Sequence, residues 1–439
     1  VYMRGQAQDY DDWGALPGCE GWSYRDVLPY FKRSENFDAG PEDEFHGKGG
    51  ELNVTYVETK YPITDVYLEG ASSIGIPRND DVNGKAQAGI GYAQVNMKDG
   101  KRWSSSHAFL SPEVRRRPNL KIVLHAAAKR ILFEGKKAVG VEYADKKGQT
   151  HTASADREVV VSAGAYNTPP LFEHSGIGNP EVLRALGVEV VHALPGVGEN
   201  LQDHFQCWVQ HGVTTKDVMS EQGKFPRVVW SVLKYMLTKK GALAMPACNV
   251  AGFLPNEGAE RPILQIHFTP GAGIMDEAGN MVPSENPGVN STVCIVRPTS
   301  RGSVHAQSTD PRAFPKIVHN YLSTEHDRAL AIEGFKAQRE IYASKIFQGH
   351  ATEEIRPGSH VQTDDEILDF WKVEGMSVYH PVGSMKMGAS DDAMAVVDKE
   401  LQVHGIENLR VADASIFPLL PSGNTHAPTA VSYTHLTLP

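Results

Sequence analysis

The chain has 439 residues, of which 41% are hydrophobic and 22% charged, a balance that reads as a soluble, globular protein. Its 43 Lys and Arg against 53 Asp and Glu give a net charge of −10, and no basic run is long enough to follow a phosphate backbone, so nucleic acid is not an expected partner. The length exceeds one ordinary core, which implies two domains or one domain with a large insertion.

Cys19, Cys207, Cys248 and Cys294 lie far apart with no CxxC pair, against both a zinc knot and a disulfide framework; a reducing cytosol fits, and the expected location is cytoplasmic or peripheral to an inner membrane. No apolar run reaches the length of a membrane span, and no signal peptide opens the chain. The first residue is Val1 rather than Met, and the expectation is a fragment of a longer reading frame.

In chain order, the first clear elements are paired strands in NLKIVLHAAAKRILFEGKKAVGVEY (Asn119 to Tyr143), with a turn at Gly135-Lys136. REVVVSAGA (Arg157 to Ala165) is a continuous apolar run that suits a central strand buried on both faces. Asn179 can cap a short helix with Pro180 in its first turn and Gly187 at its end, after which VEVVHAL reads as a strand. From about Phe205 to Trp371 the pattern changes. PILQIHF and STVCIVRP read as strands, the latter turning at Ser300-Arg301-Gly302 into SVHAQS, as in an antiparallel sheet. Helices follow from Thr324 through Ser344 and after the capping box Thr363-Asp364-Asp365-Glu366. KFPRVVWSVLKYMLTKK (Lys224 to Lys240) carries a Trp and Leu stripe at helical spacing; it could lie on a membrane surface, but ordinary core is the expectation.

Several glycine turns are weaker signals. GVGENL (Gly196 to Leu201) has two glycines of GxGxxG but Leu201 in the third place, and SGIGNP (Ser175 to Pro180) is mainly a strand-to-helix connection, so no pyrophosphate fingerprint is present. More informative are SVYHPVG (Ser377 to Gly383) and LPSGNTHAPT (Leu420 to Thr429), which set His380 and His426 among glycine and proline. The apolar LRVADASIFP between them would return the chain to a core strand and bring both imidazoles to one pocket. Taken alone, a histidine in such a turn is most often structural; the paired context reverses that.

VYMRGQAQDYDDWGALPGCEGWSYRDVLPYFKRSEN, SAGAYNTPPLFEHSGIG, PGVGENLQDH, YHPVGSMKMG and RVADASIFPLLPSGNTHAPT resemble, in order, the landmarks of the glucose-methanol-choline oxidoreductases, closest to their alcohol and choline dehydrogenase branch. The resemblance implies an α/β fold: a discontinuous, doubly wound FAD-binding domain lacking its first βαβ unit, with an α+β substrate domain on an antiparallel sheet. The expected boundaries are 1–204, 205–375 and 376–439. It implies FAD as cofactor, bound weakly or not at all in the absence of the usual GxGxxG and GGSS segments. After APTA the family continues into a helix, whereas VSYTHLTLP is a poor helix former and is expected to depart from that pattern.

Carried onto matching positions, His380 is the expected catalytic base and His426 its orienting hydrogen-bond partner, with the reverse assignment open. A neutral imidazole takes the hydroxyl proton while the flavin accepts the hydride. Asp413, Ala414 and Ser415 are expected at the ribityl and pyrophosphate, Asn424 and Thr429 at the isoalloxazine, and Ala128 at the adenine. Asp203 and His204 in NLQDH are read as structural, fixing a loop near the cofactor. Choline-oxidising relatives place an acidic residue just before an AGGF-like stretch, where this chain has Asn249, so an uncharged primary or aliphatic alcohol is favoured over choline. Electrons are expected to pass to a quinone or another non-oxygen carrier. The other readings are a choline dehydrogenase, a flavin-containing hydroxynitrile lyase and a non-catalytic binding module.

Overall fold

A computed structural model describes residues 1–246, 248–255, 261–275 and 281–435. Its largest sheet is antiparallel and seven-stranded. Across it run Ala351–Arg356, Phe205–Val213, Gly288–Ile295, Leu264–Thr269, Val250–Leu254 and Gly89–Tyr92, with Met376–Ser377 paired to the start of the 205–213 strand. Successive side chains of a strand point to opposite faces, and that alternation divides the sheet chemically. Val209, Val250, Ile266, Phe268 and Val293 lie on one face and form a core with the helices Pro62–Ser73, Glu325–Ala343 and Asp364–Glu374. The intervening positions Ala251, Phe253, Gln265, His267 and Cys294 face the other way, toward the remainder of the chain.

That remainder has its own core, drawn from residues 2–54, 131–197 and 382–431. Its parallel element is the pair Val159–Val161 and Leu409–Val411, in register Val159 to Leu409 and Val161 to Val411. The three-stranded sheet Ala127–Glu134, Lys137–Ala144 and Thr150–Ser154 stands beside it, turning at Gly135-Lys136 as expected from sequence. Helix termini follow their local chemistry. Asn179 accepts from the Glu181 N–H ahead of Pro180–Ala185, and Thr324 accepts from Asp327. Thr363 and Glu366 close a reciprocal capping box over Asp364–Glu374. The expected 205–375 sheet borrows from outside that span, since Gly89–Tyr92 supplies an edge strand and Pro62–Ser73 packs under it.

Several expectations are corrected. The 159–161 strand is not covered on both sides: among the described residues it pairs only with 409–411, and Val160 is 43% exposed. Residues 119–126 stay outside the strand that starts at Ala127, with no pairing partner to order them. VEVVHAL shortens to His192–Ala193. SVHAQS pairs with Lys316–Val318 rather than with STVCIVRP, because Pro298 has no N–H to extend the ladder and Gly302 instead exchanges hydrogen bonds with Leu201. VSYTH continues the helix His426–His435, where packing of Ala430 and Val431 outweighs weak propensity; Leu436–Pro439 lie outside the described residues. Finally, the Trp and Leu stripe of Arg227–Thr238 is not core. Only Ser231 of that helix is buried, and Trp230 is 72% exposed.

Candidate active site

His380 lies at the junction of the two cores, held by a loop that local sequence alone would not stabilise. Tyr379 has a φ of 62°, in the left-handed region that a bulky residue seldom adopts, and its ring is turned outward. Gly383 has a φ of 89°, and a Cβ there would come within 2.7 Å of the Asn200 carbonyl oxygen. The loop is tied down by Asp203, whose Oδ1 accepts the His380 N–H at 2.9 Å and whose Oδ2 accepts the hydroxyls of Ser377 and Tyr321. Burial pushes the Asp203 carboxyl upward in pKa, and those same hydrogen bonds oppose the shift.

Both ring nitrogens of His380 are engaged. Its Nδ1 is 2.9 Å from Nδ1 of His204, and its Nε2 is 3.0 Å from Nδ2 of Asn424. His204 Nε2 lies 3.0 Å from the Val296 carbonyl oxygen, which can only accept. With His204 neutral, its proton therefore sits on Nε2 and its Nδ1 is a bare acceptor. His380 must then donate from Nδ1, which leaves its Nε2 lone pair facing Asn424. The tautomers are assigned from this network of partners. Burial, then the nearby His204 and His267, hold the pKa of His380 well below the ordinary imidazole value. Burial also brings His204 and His267 down to about 4, so all three rings are neutral at pH 7. Asn424 is itself oriented: its Oδ1 accepts from Nε2 of Gln265 at 3.3 Å.

His426 occupies a different position from the one expected. It opens the helix His426–His435, and its ring reaches Asn96 Oδ1 at 3.2 Å and the Ser105 hydroxyl at 2.9 Å. Among the described residues no hydrogen bond joins it to His380; Asn424, two residues earlier, holds that place. The expected pairing is thus corrected: the helix starting at residue 426 turns that side chain toward the 96–105 segment. Burial is the main cause that lowers the pKa of each ring.

The expected cofactor residues divide into two groups. Asp413 follows the 409–411 strand, and its carboxylate accepts the N–H groups of Gly164 and Ser415 and the Thr168 hydroxyl. It therefore clamps the two parallel strands at their carboxyl ends, the place where open parallel sheets bind nucleotides. Ser415 is fully buried and its hydroxyl oxygen has no hydrogen-bond partner among the described residues, a polar group ready for a ligand. Ala414 is half-buried in the same turn, and its carbonyl accepts from Gly383, linking this turn to the His380 loop. These residues fit the flavin side of a cofactor. Ala128 is exposed in the 127–134 strand, apart from this turn, and Thr429 spends its hydroxyl on the Thr425 carbonyl. A cleft of 640 Å³ also lies between the two cores, lined by Trp13, Gln202, Arg261, Arg297, Arg301 and Leu420 among others; His380 and His426 do not border it.

Residues 1–206 and 298–432 match the N-terminal and C-terminal family models described as GMC oxidoreductase. The chain belongs to the GMC oxidoreductase family, whose cofactor is FAD. It is 40% identical over 432 residues to the mitochondrial choline dehydrogenase of Mus musculus, covering 98% of this chain and 71% of that protein. It is likewise 40% identical over 436 residues to oxygen-dependent choline dehydrogenase 1 of Chromohalobacter salexigens, covering 98% and 76%. Among solved structures, an FAD-dependent oxidoreductase from Chaetomium thermophilum superposes with a TM-score of 0.89 at 25% identity, covering 99% of this chain and 83% of that one.

Sequence reasoning passed over His204, Gln265 and His267 as working parts of the site. A signal for the last two was present: in PILQIHF, the residues Gln265 and His267 alternate with Ile266 and Phe268, placing both polar groups on one face. His204 carried no such mark, since its contact with His380 spans 176 positions.

Proposed function

We propose that the chain oxidises an uncharged primary or aliphatic alcohol to the aldehyde, with His380 Nε2 as the base. The observation that carries this reading is the relay from the Val296 carbonyl through His204 to His380. It leaves one bare imidazole nitrogen beside an oriented amide. The alcohol hydroxyl donates to Nε2, and its oxygen accepts from Asn424 Nδ2, so the two groups that now touch each other come to bracket the substrate oxygen. As the proton moves to His380 the carbinol carbon becomes able to release a hydride; FAD, when bound, supplies the acceptor for that electron pair. Asp203 holds the His380 backbone throughout. His426, with its partners Asn96 and Ser105, is assigned to a further wall of the substrate region. The turn Asp413–Ser415 is assigned to the flavin side, and the electrons are assigned to a quinone-type carrier. We retain the division 1–204, 205–375 and 376–439, with Pro62–Ser73 and Gly89–Tyr92 packed into the second unit.

The neutral substrate rests on Asn249. It is fully buried on the same face as Ala251, its Nδ2 donates to the Thr59 carbonyl at 2.8 Å, and its Oδ1 has no partner among the described residues. An amide there supplies no negative charge for a quaternary ammonium. Choline is the second reading, favoured by the two choline dehydrogenase relatives. Anaerobic mixing of the FAD-loaded protein with a panel of primary alcohols and choline separates them: bleaching of the flavin by neutral alcohols alone supports the first reading, and bleaching by choline alone replaces it with the second. Oxygen uptake against dye reduction identifies the acceptor class.

A further inference from the structure

We infer that the helix Arg227–Thr238 is a membrane-docking element that seats this protein on an anionic lipid surface. Val229, Trp230, Leu233, Met236 and Leu237 share one arc of about 120° at 100° per residue, and all are exposed, Leu237 at 84%. Phe225, 85% exposed, extends the same apolar surface at the N-terminal end. The opposite side of the helix holds it to the body of the protein through Ser231, which reaches the Gln222 carbonyl, and Tyr235, which reaches the Gly100 carbonyl. The stripe is therefore a surface turned outward from an anchored helix.

Charge identifies the occupant. Residues 223–247 contain five basic residues, Lys224, Arg227, Lys234, Lys239 and Lys240, and no acidic one, within a chain whose net charge is −10; Lys224 and Arg227 pair with Glu221 just ahead of the stretch and Lys240 lies 3.7 Å from Glu58, so the positive excess rests on Lys234 and Lys239. Gly100, packed against the helix end at Lys239, sits in the turn of the hairpin Met97–Lys98 and Lys101–Arg102, which adds three exposed cations and one exposed carboxylate, Asp99, at the same edge. An apolar arc flanked by Lys and Arg is the pattern of a helix lying in a lipid interface, with aromatic and aliphatic side chains among the acyl chains and cations at anionic headgroups. A second copy of this chain would bring those cations against one another, so self-association is disfavoured. No helix among the described residues is long and apolar enough to cross a membrane, so the contact is one of lying on the surface. The helix end is also near the site: Thr59 donates to the Gly241 carbonyl and accepts from Asn249.

Co-sedimentation with vesicles tests this, using pure phosphatidylcholine and phosphatidylcholine with about one-fifth phosphatidylglycerol, a fraction chosen to give an anionic surface. The purified full chain is expected to bind the anionic vesicles, to be released by salt, and to lose about tenfold in affinity in Trp230→Glu and Leu237→Glu, where a charge would enter the apolar layer. Both side chains are exposed, so the variants keep the fold, which circular dichroism verifies. Lys234→Glu with Lys239→Glu is expected to weaken binding to anionic vesicles selectively. Absence of binding at low salt, or binding unchanged in Leu237→Glu, overturns the inference. So does a dimer seen by light scattering that Trp230→Glu dissolves without any vesicle binding, which would assign the face to a second copy.

Discussion

The Nδ1 atoms of His204 and His380 lie 2.9 Å apart, and the carbonyl of Val296 on the far side of His204 decides which of them carries the proton. A backbone oxygen just past the end of the Gly288–Ile295 strand thereby selects the tautomer of a residue on a distant loop. Removing the base gives the first test. His380→Ala is expected to lower kcat by ~10²- to 10⁴-fold, the usual worth of one positioned general base. Stopped-flow measurement of flavin reduction reads it, and an unchanged reductive rate would remove His380 from the chemistry.

His204 acts through His380 and is a positioning residue. His204→Leu removes the acceptor, so the His380 ring is free to adopt the other tautomer and kcat falls while KM changes little. Loss of the neighbouring imidazole, one cause of the lowered His380 pKa, also moves the acidic limb of the kcat/KM profile to higher pH. His204→Asn, which retains an acceptor oxygen, is expected to recover part of the rate. A merely structural residue would alter stability and leave the limb in place.

Substrate charge is tested at Asn249. Asn249→Asp is expected to raise kcat/KM for choline relative to a neutral alcohol of similar size by roughly tenfold, or about 1.4 kcal/mol. Competition kinetics with the two substrates measures the ratio, and no change would detach this residue from ammonium recognition.

Stability has a definite pH direction. His204 and His267 are brought from 6.5 to about 4 by burial, so the folded protein keeps them neutral where the unfolded chain protonates them. More protons bound in the unfolded state means that stability falls as pH drops. The contribution is complete above pH 6.5 and is lost progressively down to about pH 4. Thermal melts across that range should show a falling Tm that His267→Leu makes shallower.

A fold-level clamp joins the chain's opening to the turn that carries Asn424. Asp9 Oδ2 accepts the N–H groups of Gln6 and Ser422, both at 2.7 Å, and its Oδ1 accepts the Ser422 hydroxyl. Asp9→Ala strands two buried N–H donors, and a loss of ~2 kcal/mol or more is expected from urea midpoints. Asp9→Asn, which keeps an acceptor, should cost less.

The elements legible in the sequence were those encoded within a few residues of each other. Capping side chains located the starts of the helices at Pro180 and Asp364, the helical stretch from Thr324 was read in place, the apolar runs PILQIHF and STVCIVRP located Leu264–Thr269 and the second half of Gly288–Ile295, and ordered motifs located the His380 and Asn424 loops. Which polar groups meet was not encoded locally. That His380 pairs with His204 and Asn424 while His426 pairs with Asn96 and Ser105 depends on how two cores, each built from separated stretches, are brought face to face. The helix Arg227–Thr238 makes the same point: its amphipathic period is local, but which side faces the protein is set by what the rest of the chain packs against it. Short-range patterning specifies an element and its apolar stripe; only long-range packing chooses the partner, because burial free energy is gained wherever an apolar surface is covered and carries no address of its own.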